Sequence, residues 1–339
     1  MSSKTREYLM RGLKTAVFPL IVFLFFGIAT GGRIYSQRSI LVILRQSVLP
    51  ALIIMAMMPN LSLGLMDFSV GAVVMASALF ACNLMKMTGT GYFGLIFFSL
   101  LLAVTFTSIT GFLNNKLKVP LLVVSLGLML VYEAIPALAF PGNQSAIIDV
   151  KYASLAQPPY IFIVFGIAFV IYYILTNKTA YGHNIRALGG NSELAARAGL
   201  KVGKITQISF TVSGIFAGIA AAVYMCSRGQ VNVPAAFGSM STVMTAFLGL
   251  FLGMFLSRFC DASIGIVIAV ITMTTLSNGM LMLGIDATTR DILNSVVLFA
   301  LLAFSANQPY FVRWRQDLKR AAQANAAWQA AGGDGEKGR

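Results

Sequence analysis

Few side chains in this sequence form a set that could carry out a chemical reaction. The chain has a single histidine, its three cysteines show no CxxC spacing, and it contains neither an HExxH nor a GxSxG motif. Residues 199–205 come nearest to a phosphate-binding loop, but only three residues separate the two glycines, and Ile205 follows Lys204 where such a loop has Ser or Thr. We therefore predict that the chain is not an enzyme and itself holds no metal, nucleotide or other cofactor.

Two charged residues lie within long apolar stretches, where a charge is costly. Glu133 is the clearest carboxylate in such a stretch, and an acidic side chain there usually faces the interior of a helix bundle and has a partner. Arg45 lies at a similar distance from the end of its own stretch, which predicts an Arg45–Glu133 ion pair. One alternative is that the carboxylate reaches out to the membrane surface. Another is a proton relay, which needs several titratable groups in series.

Asp67 and Ser69 follow a segment that is poorly suited to a continuous helix. Pro59 and Gly64 precede them in the same apolar region, and this pattern predicts a broken helix. Free N–H groups at a break within a membrane can bind hydroxyl or anionic groups. Asp67 and Ser69 are therefore candidates for binding or gating a polar solute. The alternative is that Asp67 caps the first turn of the next helix.

A helix signature also occurs inside a long polar segment. The glycine pair 189–190 permits an abrupt turn, Asn191 or Ser192 can cap the first free N–H groups, and Glu193 lies in the first turn, where the helix dipole favours an acid. Gly199 is placed to end the helix in a left-handed conformation. A helix this short is marginal in water, which favours a partner that packs on it. The alternative is a connector that rests on the protein's own bundle.

An almost wholly apolar chain must position these residues. Of the 339 residues, 58% are hydrophobic and 11% are charged, against about 25% charged in an average soluble domain, and the mean hydropathy is +0.81. Apolar stretches of about twenty residues are long enough to cross a bilayer as helices. We predict an all-α integral membrane protein with about ten transmembrane helices and a short helix in one loop. The ten predicted helices are 16–32, 40–64, 70–87, 92–113, 120–140, 158–176, 205–227, 238–257, 262–285 and 291–306.

The net charge of +14 is divided unevenly between the two sides of this predicted bundle. Alternate polar segments place eighteen Lys and Arg residues on the side of the termini and six on the other side, with Arg45 counted separately. Lys and Arg accumulate on the cytoplasmic side of membrane proteins, so both termini and the 177–204 loop are predicted to be cytoplasmic. We predict a transmembrane domain over 1–310 and a cytoplasmic tail over 311–339, whose last eight residues are disordered.

Several short segments match the motifs of a known family in order and spacing. They are Arg45-Gln46, Asp67-Phe68-Ser69-Val70-Gly71, Asn114 with the following residues up to Pro120, Ser125-Leu126-Gly127, the 181–199 loop, the 213–221 segment and Ser277-Asn278-Gly279. Together these segments resemble the permease subunits of bacterial ribose-type and other simple-sugar ABC importers, within the superfamily of branched-chain amino acid and ribose permeases.

This resemblance implies a membrane subunit that works as a pair, either with itself or with a related permease. Its other partners would be an extracytoplasmic solute-binding protein and cytoplasmic ABC ATPase subunits, which bind the ATP and Mg²⁺. The cargo would be a small neutral polar solute, such as a monosaccharide, carried across the bacterial inner membrane. The alternative is an ion-coupled secondary transporter, which would need coupling carboxylates in its spans, where only Glu133 and Asp67 qualify.

The resemblance also implies roles for individual residues. Coupling to the ATPase falls to Gly189, Gly190, Asn191, Glu193, Ala195, Ala196, Arg197 and Gly199. The translocation pathway comprises Asp67, Ser69, Asn114, Ser125 and Asn278. Where the family has an acidic segment and then a glycine-rich break, this chain has residues 242–244 and the glycine-poor segment 253–262. Because glycines permit close helix approach, we predict pairing with a non-identical permease.

Overall fold

The computed structural model describes residues 17, 19–117, 119–140, 145–234, 236–257, 259–297, 299, 300, 303 and 307. It contains two compact units, 1–290 and 291–339. Among the described residues, seven helices are long and apolar enough to cross a membrane, and Pro19–Ala29 and Met240–Leu256 are shorter apolar helices. The predicted all-α membrane fold is confirmed, but these helices do not establish the predicted count of ten.

The helices of the first unit are connected mostly by short turns. They are α1 Pro19–Ala29, α2 Gln37–Ser62, α3 Val70–Thr88, α4 Gly91–Lys116, α5 Leu121–Ala139, α6 Tyr160–Lys178, α7 Ala180–Gly190, α8 Ser192–Arg197, α9 Val202–Arg228, α10 Met240–Leu256 and α11 Ala262–Met282. Two short strands, β1 Ser145–Ile147 and β2 Gln230–Asn232, pair antiparallel. The sequence pattern does not predict these strands, because three residues are too few for an alternating signal.

The predicted break between the second and third helices is present. α2 continues through Pro59 and ends at Ser62. Gly64 then has a φ of 76°, a left-handed conformation that glycine adopts without steric cost. Residues 65–68 are not helical, and α3 begins at Val70. Gly64 therefore makes the turn. Pro59, which was also expected to interrupt the helix, lies within α2.

The core is built around α9, which packs against α2, α3 and α4. Gly214 and Gly218 of α9 face α4, where an added Cβ would lie 2.6 Å from the Cα atoms of Val104 and Leu100 respectively. Small residues of this kind let two helix backbones approach closely in a membrane. The glycines of the 213–221 segment thus allow the closest contact between α9 and α4.

The bundle of the first unit has two ends with different connections. At one end, which we call the strand end, the paired strands β1 and β2 follow α5 and α9. There the Tyr92 hydroxyl at the start of α4 donates a hydrogen bond to the carbonyl oxygen of Lys151 at 2.6 Å. At the loop end, α7 and α8 lie beside the end of α2, where Gly189 contacts Ser62. Helices α2 and α9 both run from one end to the other.

The second unit covers residues 291–339. Its described residues, 291–297, 299, 300, 303 and 307, are helical, and all but the last belong to the predicted helix 291–306. The predicted domain boundary at 310 and the predicted tail beyond it lie outside the described residues.

Candidate functional site

The short helix predicted in the long polar loop is present as α8. Asn191 caps its start, because the Asn191 Oδ1 accepts a hydrogen bond from the N–H of Leu194 at 2.9 Å. At its end, Gly199 has a φ of 89°, and the N–H of Leu200 donates to the carbonyl oxygen of Ala195 at 3.1 Å. The predicted cap and the predicted left-handed glycine are both confirmed.

The glycine pair before α8 has a different purpose from the predicted one. α7 includes both Gly189 and Gly190, and the chain turns at Asn191, which is extended with φ −160° and ψ 103°. A Cβ on Gly189 would collide with the backbone carbonyl oxygen of Ser62, whereas a Cβ on Gly190 would meet no atom within 4 Å. The prediction of a glycine turn is therefore wrong: Gly189 allows α7 to touch the end of α2.

A small apolar cluster holds α7 and α8 on the bundle. Its buried members are Ile185, Leu188, Ala195 and Ile205, and Leu63 at the end of α2 packs against them. The remaining surface of α8 is exposed: Leu194 is 65% exposed, and the exposed neighbours on α8 are Glu193, Ala196 and Arg197. α8 thus presents a short, capped and firmly held surface at the loop end.

Asp67, Ser69 and Ser125 come together at the break between α2 and α3. The Asp67 Oδ1 accepts hydrogen bonds from the Ser69 N–H at 2.9 Å and the Ser69 hydroxyl at 2.6 Å. The Ser125 hydroxyl oxygen on α5 accepts the N–H of Phe68 at 3.2 Å. Asp67 is 3% exposed, and its Oδ2 has no hydrogen-bond partner among the described residues. Asp67 thus satisfies backbone and side-chain donors at the entrance to α3, while one of its oxygens stays available.

Glu133 does not pair with Arg45. Its Oε1 accepts hydrogen bonds from the Ser239 N–H at 2.8 Å and the Ser239 hydroxyl at 2.5 Å, and Ser239 directly precedes α10. Arg45 is on α2, which packs mainly on α9, α11 and α10, whereas α5 packs on α3 and α4. The ion-pair prediction is wrong because equal depth does not make two helices neighbours. The signal for Ser239 was present in the sequence, since a serine before an apolar run is a common helix start.

The starts of α3 and α10 meet in the interior of the bundle. A Cβ on Gly71 would lie 2.8 Å from the backbone oxygen of Ser239. Beside them, the Thr110 hydroxyl lies 3.5 Å from the Ser69 hydroxyl and 3.1 Å from that of Tyr132. The two helix starts, where Asp67 and Glu133 accept hydrogen bonds from Ser69 and Ser239, therefore belong to one buried polar region.

The other two residues predicted for the translocation pathway lie apart from this region. Asn114 is half-buried one turn beyond Thr110 on α4 and is in no described hydrogen bond with Asp67 or Ser125. Asn278 on α11 donates its Nδ2 hydrogens to the Gln46 Oε1 at 2.8 Å and to a backbone oxygen of its own helix. The five predicted pathway residues thus form one group of three and two separate positions.

Gln46 lines a cavity of about 720 Å³ at the strand end. Residues of α2, α9 and α10 form most of its wall, and they include Arg45, Tyr224, Arg228 and Thr245. None of Asp67, Ser69 and Ser125 lines it. The sequence patterns did not single out Tyr224 and Arg228, because both lie within or at the end of an ordinary apolar helix.

Replacing Glu133 with leucine should destabilise the protein, because it leaves the buried Ser239 donors without an acceptor, at a cost of about 1–3 kcal/mol. Glu133→Gln keeps an oxygen acceptor and should retain most of the stability. Size-exclusion chromatography of the solubilised protein after heating measures the difference. Arg45→Leu is the control and should leave the thermal unfolding temperature unchanged. An equal loss of thermal stability in Arg45→Leu would instead support the ion pair.

Comparison with known proteins gives a consistent family. Residues 39–305 match a family described as "Branched-chain amino acid transport system / permease component". The chain is 25% identical over 274 residues to the L-arabinose ABC transporter permease protein AraH of Azospirillum brasilense, which covers 79% of this chain and 78% of that protein. It is 26% identical over 269 residues to the ribose import permease protein RbsC of Bacillus subtilis, covering 77% and 82% respectively.

One further match covers less of its partner. The probable ABC transporter permease protein YphD of Escherichia coli is 24% identical over 162 residues, and the match spans about half of each protein, 48% of this chain and 48% of that one. The family match, in contrast, begins two residues into α2 and extends beyond α11, and it therefore includes both the loop end and the cavity.

Proposed function

Because this chain belongs to the permease-component family of branched-chain amino acid transport systems, we propose that it is the transmembrane permease subunit of an ATP-driven ABC importer for a small polar solute of the monosaccharide class. ATP and Mg²⁺ bind to separate ATPase subunits in the cytoplasm. A solute-binding protein delivers the cargo on the other side of the bacterial inner membrane. Both termini and the loop end face the cytoplasm.

The exposed surface of α8 is the observation that best supports this proposal. Coupling two proteins mechanically requires a rigid element that is held on one side and open on the other. Asn191 and Gly199 fix the two ends of α8, Ala195 anchors it in the apolar cluster, and Leu194 and Ala196 remain exposed. This surface is suited to docking on an ATPase subunit.

The loop end is in direct contact with α2, a helix that also lines the cavity. Gly189 of α7 touches the end of α2 at Ser62, and α2 continues to the cavity at Arg45 and Gln46. When the ATPase subunits close, displacement of α7 and α8 would therefore be passed to α2. Rocking of two permease bundles against each other then opens the pathway alternately to either side.

A second permease completes the pathway, and we propose that it is not identical to this chain. Residues 257–261, which connect α10 and α11 in the sequence, include no glycine, and glycines permit the close helix approach expected between two permeases. Purification of an active transporter that contains two copies of this chain and no other permease would contradict the pairing with a sibling.

The proposal is tested by co-expressing the chain with ABC ATPase subunits and solute-binding proteins from the same genome. An ATPase subunit should co-purify, and proteoliposomes should take up at least one solute from a labelled panel of monosaccharides and their acid and phosphate derivatives only when ATP is supplied. An ATPase variant that cannot hydrolyse ATP is the control. Uptake that follows an ion gradient without ATP would contradict the proposal and favour a secondary transporter.

A further inference from the structure

The cavity at the strand end of the bundle is lined by two positively charged side chains. Arg45 of α2 and Arg228 at the end of α9 both line it, and no Asp or Glu is among the described residues of its lining. Arg38 lies seven residues before Arg45, two helical turns away on the same face of α2, and is exposed. Positive side chains therefore follow α2 from the surface into the cavity.

Neither guanidinium is neutralised within the part of the chain that the structure describes. The ion pair found among those residues joins Lys151 to Asp149 and involves neither arginine. The Arg228 guanidinium lies over the ring of Tyr224, 5.7 Å from its centroid, and Tyr224 itself lines the cavity. This contact holds the charge of Arg228 at the cavity wall.

The remaining wall has both apolar residues, among them Leu49, Ile53 and Val223, and polar residues that could bind the hydroxyl groups of a sugar-sized molecule. Gln46, Ser227, Ser241, Thr242 and Thr245 contribute amide and hydroxyl groups. The volume of about 720 Å³ falls within the range of roughly 300–1,000 Å³ that is usual for small-molecule sites. These polar groups by themselves would accept a neutral sugar, so the two arginines decide the class of solute.

We propose that the solute carries a carboxylate or phosphate group and that Arg45 and Arg228 bind this group in the cavity. Guanidinium groups bind carboxylates and phosphates through paired, charge-assisted hydrogen bonds. Arg45 supplies one positive charge from within α2, and Arg228 supplies the second from the end of α9. The inference rests on the proposed function and replaces the neutral solute expected from the sequence with a sugar acid or sugar phosphate.

Chemical labelling tests binding without any requirement for transport. The purified chain in phosphatidylcholine nanodiscs is treated with phenylglyoxal, which modifies arginine, and mass spectrometry follows Arg45, Arg228 and Arg33. D-galacturonate or ribose 5-phosphate should slow modification of Arg45 and Arg228, whereas D-galactose and D-ribose should not. Arg33, which donates to the Thr30 carbonyl oxygen at 3.1 Å outside the cavity, should react at the same rate throughout.

Two outcomes of the labelling would overturn the inference. One is that neither acid protects Arg45 and Arg228 better than its neutral counterpart. The other is that phosphatidylglycerol in the nanodisc protects both arginines and the acids add nothing, which would make a lipid headgroup the occupant.

Transport by the complete complex gives the second test. Arg45→Gln and Arg228→Gln should each lower uptake of the acid by about tenfold, because a paired charge is lost. The lysine variants should retain part of the uptake, and the matched control Arg33→Gln should retain all of it. ATP-dependent uptake of a neutral sugar that both glutamine variants leave unchanged would contradict this inference alone. Absence of ATP-dependent uptake of any solute would contradict the proposed function instead.

Discussion

Replacing Gly189 with alanine should lower solute uptake by about tenfold or more, whereas the same change at Gly190 should leave uptake unchanged. A Cβ at Gly189 collides with the Ser62 carbonyl oxygen, so α7 must move away from the end of α2. At Gly190 the Cβ meets no atom within 4 Å, and both glycines are helical. Uptake into proteoliposomes, normalised to the amount of inserted protein, is the measurement.

Gly190→Ala is a close control because it makes the same substitution at the next position of the same helix. It should be neutral or slightly stabilising, since alanine favours a helix over glycine by about 1 kcal/mol. If both variants lose transport equally, the two glycines serve as a flexible turn, and the contact between α7 and α2 does not transmit movement from the loop end to the bundle. If neither variant loses transport, this contact has no role in transport.

Ala196→Glu should abolish stimulation of the ATPase and transport while leaving the level of inserted protein normal. Ala196 is exposed on α8 beside Leu194, so a long charged side chain prevents close docking without disturbing the buried Ala195. Stimulated ATPase activity should fall to the rate of the ATPase subunits alone, a loss of about tenfold or more. Phosphate release in proteoliposomes that contain the loaded binding protein measures it.

Ala287→Glu is the matched control for this variant. Ala287 is likewise an exposed helical alanine, and it follows α11 at the strand end of the bundle. It should leave both ATPase stimulation and transport unchanged. Normal stimulation in Ala196→Glu would mean that the loop is a passive connector.

Local sequence signals predicted the loop helix well because its ends depend on neighbouring residues. Asn191 and Gly199 act within a few residues of their own positions, through a side-chain cap and a left-handed backbone. The break before α3 was predicted for the same reason, although Gly64 makes it and Pro59 does not. Proline inside a membrane helix is tolerated where other groups compensate for the lost hydrogen bond.

Contacts between helices were predicted poorly because hydropathy gives depth but not direction. Arg45 and Glu133 lie at similar depths, yet Glu133 meets Ser239 and Arg45 lines the cavity. The role of Gly189 was also missed, because a close approach between two backbones leaves no periodic pattern in either sequence.

The sequence by itself therefore determined that the chain is a helical membrane protein, where most of its helices lie and how the loop helix begins and ends. These properties follow from apolar length and from local backbone chemistry. Only the tertiary structure decided which polar groups meet: Asp67 and Glu133 each hold the start of a helix in one buried region, while Arg45 and Arg228 share a cavity in which no described lining residue is a carboxylate. The side-by-side order of the helices sets these partners, and that order depends on packing between residues more than a hundred positions apart, as Glu133 and Ser239 are.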